Sequence, residues 1–353
     1  MKRIRILPVI LFALLLGLLA FGISTYLLKH KENGFVFTAQ KNVTEDALKI
    51  LTSIQNKEEI NLFENTQKEY PSFDSKEAYD AAIQTLFQDV NVEELNLELV
   101  EKTDTQTKFE IHNGEQYLGT LKLDTDENDT IHASLPIQGS ESYIFEVPVG
   151  RTFTMNGLDV DASYKIEENV PASNFFQFQD QTSIPHVDIY EVDHLLGLPE
   201  VELDGEKGEV LVDAITQHLL VGEALNDEDL KELMIEDGQK IAQYPAQEVG
   251  LGAVSEIALT SSSWYERYTS LQNYWFTAHN ISNFSNQDVI CGIKQSEDTA
   301  VGHVVFDYFA DNGEVHRTWH IGYQMTMVNT PQGWKVAGME INNELNPNQI
   351  QPE

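Results

Sequence analysis

The chain is poor in three things: cysteine, positive charge and recognisable catalytic motifs. Cys291 is its one cysteine, so no internal disulfide can form and stability must come from packing. Alternating with Val289 and Ile293, that thiol reads as a small core residue and not as a nucleophile. Lysine and arginine number 22 against 57 aspartates and glutamates, a formal balance of −35. A polyanion gains nothing from counterion release off another polyanion, and no basic stripe interleaved with aromatics is present, so nucleic acid is excluded as a partner. No HExxH, CxxC, GxSxG or phosphate-loop pattern occurs, and the reading names no catalytic residue, no metal-ligand set and no cofactor.

What the chain does have is an uninterrupted apolar run from Ile6 to Leu28. A helix of these 23 residues reaches about 34 Å at roughly 1.5 Å per residue, enough for a hydrocarbon core of about 30 Å. Lys2, Arg3 and Arg5 precede it, which places the N-terminus in the cytoplasm and the bulk of the chain outside, as a single-pass protein of the cell membrane. The run continues six residues past Ala20 and Gly22, too far for a cleaved signal sequence. With the three leading cations set aside, 19 basic residues face 57 acidic ones, so the exported part carries −38. That charge favours solubility and argues against lying flat on anionic lipid.

Beyond the anchor the hydrophobic period changes along the chain. Ala47, Leu48, Leu51 and Ile54 predict a helix starting at Thr44, residues 58–69 offer a short one, and Ser75 caps another that buries Tyr79, Ile83 and Phe87. From Leu95 the period becomes two, giving four strands to about 135 with a hairpin at Asn113-Gly114. Residues 141–205 alternate without helical spacing and turn at Asn156-Gly157. Then Leu211, Ile215 and Leu219 predict an apolar helix over 210–225, Asn226 caps the next, and Trp264, Tyr268, Leu271, Trp275 and Ala278 form an aromatic stripe on a third. Four long strands follow, over 284–293, 300–309, 315–328 and 335–342. The expected class is α+β, with an N-terminal transmembrane helix and two helix-plus-curved-antiparallel-sheet domains flanking a small all-β module. The expected divisions are 1–31, 36–140, 141–205 and 206–346.

A two-residue turn at Asn312-Gly313 would set Val304 opposite Ile321, Phe306 opposite Trp319 and Tyr308 opposite Arg317 on an apolar face. It would set Val305 opposite His320, Asp307 opposite Thr318 and Phe309 opposite His316 on a mixed face expected to look outward. Helices laid into a bent antiparallel sheet that ends in Gly333-Trp334-Lys335-Val336 resemble the nuclear transport factor 2-like, or SnoaL-like, cone over 208–345. The layout as a whole resembles membrane-anchored Gram-positive envelope proteins with two such cones around a β-module, whose turn reads here Val147-Pro148-Val149-Gly150 and then Asn156-Gly157. The resemblance implies a fold and a location without a reaction.

Related cone enzymes hold an acid or an Asp-His pair in a pocket between helices and sheet. The corresponding lining here would be Trp264, Tyr268, Trp275, Phe306, Trp319 and Tyr323, with Asp307, His316 and His320 as polar candidates on the far face. His316 and His320, four residues apart on a strand, stand roughly 13 Å apart and cannot share one ion. Asp124, Asp126, Asn128 and Asp129 have the alternation of a calcium loop but lack its glycine and closing glutamate. The expected function is a non-enzymatic binding or scaffold protein of the envelope, with the bilayer and an envelope protein or cell-wall ligand as partners. The alternatives are a homo-oligomeric component of an envelope or secretion complex and an isomerase- or cyclase-type enzyme.

Overall fold

The computed structural model describes residues 37–38, 43–58, 60–178, 184–270 and 279–346, so the expected anchor from Ile6 to Leu28 lies outside the described residues. Among the described residues no helix is long and apolar enough to cross a membrane. The chain divides into two units, Met1–Gly139 and Ser140–Glu353.

In the first unit, strand β1 (Phe37–Thr38) precedes three helices, α1 (Val43–Gln55), α2 (Leu62–Glu69) and α3 (Lys76–Phe87). Ser75 caps α3, its hydroxyl accepting from the Ala78 amide at 3.1 Å, a contact worth about 1 kcal/mol. Helical spacing buries Ala47, Ile50, Leu51 and Ile54 on α1 and Tyr79, Ile83 and Phe87 on α3. Strands β2 (Asn96–Lys102), β3 (Gln106–Asn113), β4 (Gln116–Thr125) and β5 (Thr130–Ser134) form an antiparallel sheet in the order β1-β5-β4-β3-β2. Asn113 pairs with Gln116, leaving Gly114 at φ +63 as the first residue of a two-residue turn. Phe109, Ile111, Leu121 and Leu123 point inward from alternate positions, and the Tyr79 hydroxyl donates to the Leu135 carbonyl at 2.8 Å.

The second unit begins with β6 (Glu141–Pro148), β7 (Phe153–Met155), β8 (Leu158–Asp159), β9 (Lys165–Pro171), β10 (His186–Leu195) and β11 (Val201–Leu203). Asn156 and Gly157, at φ +47 and +79, close the β7–β8 hairpin where the sequence places it. Strands β12 (Glu206–Val212) and β13 (Leu219–Ala224) occupy the stretch expected as an apolar helix over 210–225. The Asp213 carboxylate is the reason: it accepts from the Ile215 and Thr216 amides and the Thr216 hydroxyl, and this turn breaks the run after Val212. Asp204 and Gly205, at φ +53 and +79, join β11 to β12 in a tight hairpin at the point where the sequence reading divided two domains. Residues 141–205 thus belong to the same sheet system as the C-terminal strands, through the parallel pairing of β6 with β13 as well as through β11.

Helices α4 (Glu228–Gln243), α5 (Leu251–Ile257) and α6 (Ser263–Ser270) follow, then β14 (Ile281–Ser296), β15 (Thr299–Asp311), β16 (His316–Thr330) and β17 (Gly333–Ile341). The last four are consecutive antiparallel neighbours, and three register shifts in the β14–β15 ladder bend the sheet. Leu230, Met234 and Ile241 of α4, Ile257 of α5 and Trp264 of α6 pack with Val304, Phe306, Tyr308, Ile321, Tyr323, Met325 and Met327. The apolar face therefore meets the helices.

The pairing across that hairpin differs from the expected one by two residues: Phe306 lies opposite Ile321, Tyr308 opposite Trp319 and Asp307 opposite His320. The Asn312 side chain causes the slip by accepting from the Glu314 and Val315 amides, which stretches the turn to the four residues 312–315. A slip of two keeps every side chain on its face, so the division into apolar and mixed faces stands while the partners change. The mixed face is not an open surface at Asp307, as the sequence reading has it: Asp307 is buried. Chain after β17 covers it, close enough that a Cβ on Gly322 would come within 2.6 Å of Leu345 Cβ.

Candidate binding site

A polar recess lies in the first unit, on the side of the sheet opposite Leu121 and Leu123. Asn65, Lys68 and Glu69 enter it from one face of α2, Lys122 and Asp124 from β4, and His132 and Ser134 from β5, around a cleft of about 420 Å³. Register explains the convergence: Lys122 pairs with Ser134 and Asp124 with His132, so all four project to one side. Leu62 and Thr66, on the adjoining side of α2, are buried, and the Thr66 hydroxyl accepts from the Leu135 amide just after β5 at 3.0 Å.

Lys122 is the floor of this cleft, buried and held between Glu69 and Asp124, with Asp124 at 2.9 Å. Burial alone would lower its pKa, but hydrogen bonds to Glu69 and Asp124 outweigh that and raise it, so the ammonium stays charged. Glu69 also accepts from the Ser134 hydroxyl at 3.1 Å, and Asp124 from the Gln106 amide at 3.0 Å. At the rim, Asp126 accepts from the Thr130 and Asn128 amides, which hold its carboxyl below the usual range, and faces His132 at 3.3 Å. Of the alternating acids with a calcium loop's spacing, Asp126 is thus occupied in shaping a turn and Asp124 in holding Lys122. Ammonium, carboxylate, carboxamide and hydroxyl groups together suit a ligand bearing both charges and hydrogen-bonding groups, such as a peptide end. Sequence reasoning missed Lys122 because its partner Glu69 is 53 positions away; the one signal was a lysine inside the apolar run of β4.

The residues named from the sequence as pocket lining lie elsewhere. Trp264, Phe306 and Tyr323 are buried in the core of the second unit, with Tyr268 and Trp319 packed against them. Trp264 stacks on Tyr268 with ring centres 5.4 Å apart, Tyr308 stacks on Trp319 at 5.5 Å, and Phe306 meets Tyr323 edge-on at 5.7 Å. Trp275 lies outside the described residues. Among the described residues these rings pack on one another between the helices and the sheet.

On the opposite face Asp307 and His320 form a pair, His320 Nδ1 donating to Asp307 Oδ1 at 2.6 Å. Asn286 donates to the second carboxylate oxygen at 2.7 Å, and Asn346 reaches the first at 3.3 Å. Burial would raise the Asp307 pKa; the hydrogen bonds from Asn286, His320 and Asn346 overcome it and hold the carboxyl below its ordinary value. His316 is not part of this group, standing exposed opposite Asp311 at the hairpin end. The Cys291 thiol, pushed up to about 11 by burial, donates to the Val210 carbonyl at 3.5 Å and is not poised as a nucleophile.

No family model and no curated protein matches the chain. A solved structure similar to it is an Ntf2-like protein involved in plasmid conjugation, 11% identical over 73% of this chain and 78% of that one, with a TM-score of 0.26. The fold is α+β. Its two units each join helices to largely antiparallel sheet, and a similarity at that score adds nothing to what these elements show.

Proposed function

We propose that the chain is a single-pass, membrane-anchored envelope protein, that its second unit is a nuclear transport factor 2-like cone serving as a scaffold, and that its first unit binds a small zwitterionic ligand or peptide of the cell envelope in the Lys122 cleft. The observation that carries this reading is the packing of Trp264, Phe306 and Tyr323 across the apolar face of the second unit's sheet. A cone-pocket enzyme needs an open cavity with an ionisable group inside it. Here Asp307 and His320 sit on the other side of the sheet, hydrogen-bonded to each other.

The test places a photo-crosslinking residue at Asn65, on the cleft rim, in the full chain expressed in living cells, with a matched probe at exposed Leu251. A specific envelope peptide or protein captured at Asn65 and lost in Lys122→Ala, while Leu251 captures nothing, supports the reading. Turnover of a lipophilic carbonyl compound that disappears in Asp307→Asn or His320→Ala overturns it in favour of an enzyme.

A further inference from the structure

A second group of titratable side chains lies on strands β2 and β3, away from the cleft. Glu98 stands directly opposite Glu110 in the ladder, and Asn96 opposite His112, so Glu98, Glu110 and His112 share one face. Two carboxylates directly opposed on an antiparallel pair repel each other. The usual remedy is a lysine, yet the nearest one in the strand, Lys108, is engaged by Glu101 at 2.8 Å. His112 adds a second anomaly. Its Nε2 atom is sealed from solvent without a hydrogen-bond partner and lies 3.5 Å from Glu110 Oε2. The Tyr117 ring packs against the imidazole with centres 5.5 Å apart. A buried imidazole nitrogen without a hydrogen bond is costly, and a cation held between it and the two acids removes that cost and the carboxylate repulsion together.

We propose that Glu98, Glu110 and His112 form a binding site for a divalent transition-metal ion, with Zn²⁺ as the best match. One donor atom from each residue lies within 4.8 Å of the others. A tetrahedral ion with bonds of about 2.0–2.2 Å sets its ligands roughly 3.3–3.5 Å apart. The Glu110–His112 pair already has that spacing. Glu98 closes the remainder by rotating its own side chain, which is free to do so because the residue is exposed on the edge strand. One imidazole and two carboxylates favour zinc or another ion of its series over calcium and magnesium, which prefer all-oxygen shells. Three protein ligands leave a fourth position for water or for a donor from a partner. The sequence conceals this group because two of its ligands are neighbours only through the ladder.

The experiment is calorimetric titration of the chelator-treated full chain with Zn²⁺, and with Co²⁺ followed by its visible absorption. The expected result is one ion per chain and an intense tetrahedral Co²⁺ band, with affinity falling at least ~10-fold in His112→Ala and in Glu98→Gln. Glu98→Gln alters only an exposed edge position, so its loss of binding separates ligation from folding, and His316→Ala, at an exposed hairpin end of the second unit, leaves binding unchanged. No saturable binding, or binding that survives both His112→Ala and Glu98→Gln, overturns the proposal. The outcome is independent of what the Lys122 cleft binds.

Discussion

The cleft of the first unit and the helix-facing side of the second unit's sheet are both places where helices meet antiparallel strands, yet they are filled in opposite ways. In the first, α2 and strands β4 and β5 leave a recess lined by Lys122, Glu69, Asp124 and Ser134. In the second, Trp264, Phe306, Tyr308 and Tyr323 occupy the space themselves. Charged groups that satisfy one another at a rim tolerate water beside them, so a recess can stay open. Apolar rings gain by excluding water and close any gap they face. Architecture alone therefore does not decide whether such a junction binds a ligand; the side chains at its alternate positions do.

Four substitutions test that contrast, beginning with the largest effect. Phe306→Ala removes a ring with no exposure that touches Phe284 and Tyr323, and should cost about 3–5 kcal/mol in chemical denaturation. Binding at the Lys122 cleft should persist wherever the first unit stays folded. A loss below about 1 kcal/mol would mean that the second unit holds slack space after all.

Asp237 comes next. It is buried on α4 beside Lys240 at 3.3 Å, and burial pushes its pKa up from 3.8 to about 6 against the pull of Lys240. The folded chain then holds the proton more tightly than the unfolded one, so stability falls as pH rises from about 4 to about 6, by up to about 3 kcal/mol. Asp237→Asn should flatten that decline in a series of denaturation curves across pH. A slope that persists would clear Asp237 of the effect.

Asp307 has the opposite sign. Its carboxyl is held below the ordinary value of 3.8, so its contribution is present above that pH and is lost as pH falls through the folded-state value. Asp307→Ala should cost about 1–3 kcal/mol at neutral pH by leaving Asn286 and His320 without their acceptor, and the variant should lose less stability than the parent on acidification below about 4.

The smallest effect on stability, and the one that most sharpens the comparison, belongs to Lys122→Met. Lys122 is buried, but its partners Glu69 and Asp124 stay partly exposed and can be hydrated once the ammonium is gone, so the loss should be about 1 kcal/mol while capture of ligand at the Asn65 rim disappears. A large destabilisation with ligand capture intact would reverse the roles assigned to the two regions.

Much of the second unit's hairpin was legible before its geometry was known, and the limit of that legibility is instructive. Alternation along β15 and β16 put Val304, Phe306, Tyr308 and Ile321 on one apolar face, and these residues pack with the helices. It could not supply the pairing, because a turn of two residues and one of four yield the same alternation. Asn312 chose between them through its own side chain, and only then did Asp307 meet His320. The stretch 210–225 misled for a similar reason: Leu211, Ile215 and Leu219 fit a helix by spacing, but Asp213 turns the chain between them. Asp204-Gly205 is a hairpin signal that a domain boundary was placed over.

The sequence by itself determined that the helices of the first unit precede its strands, the four long C-terminal strands, the cap at Ser75, the inward faces of those elements, and a strongly anionic composition, but not β1, β9 or α5. These follow from local periodicity, capping and total charge, which need only neighbours along the chain. Only the tertiary structure decided that Lys122 is held by Glu69, that Asp307 faces His320, and that Glu98 and Glu110 stand opposed with the His112 imidazole beside them. Each depends on register or on helix placement, set by turn hydrogen bonds and burial between residues far apart in sequence, and no local pattern carries that information.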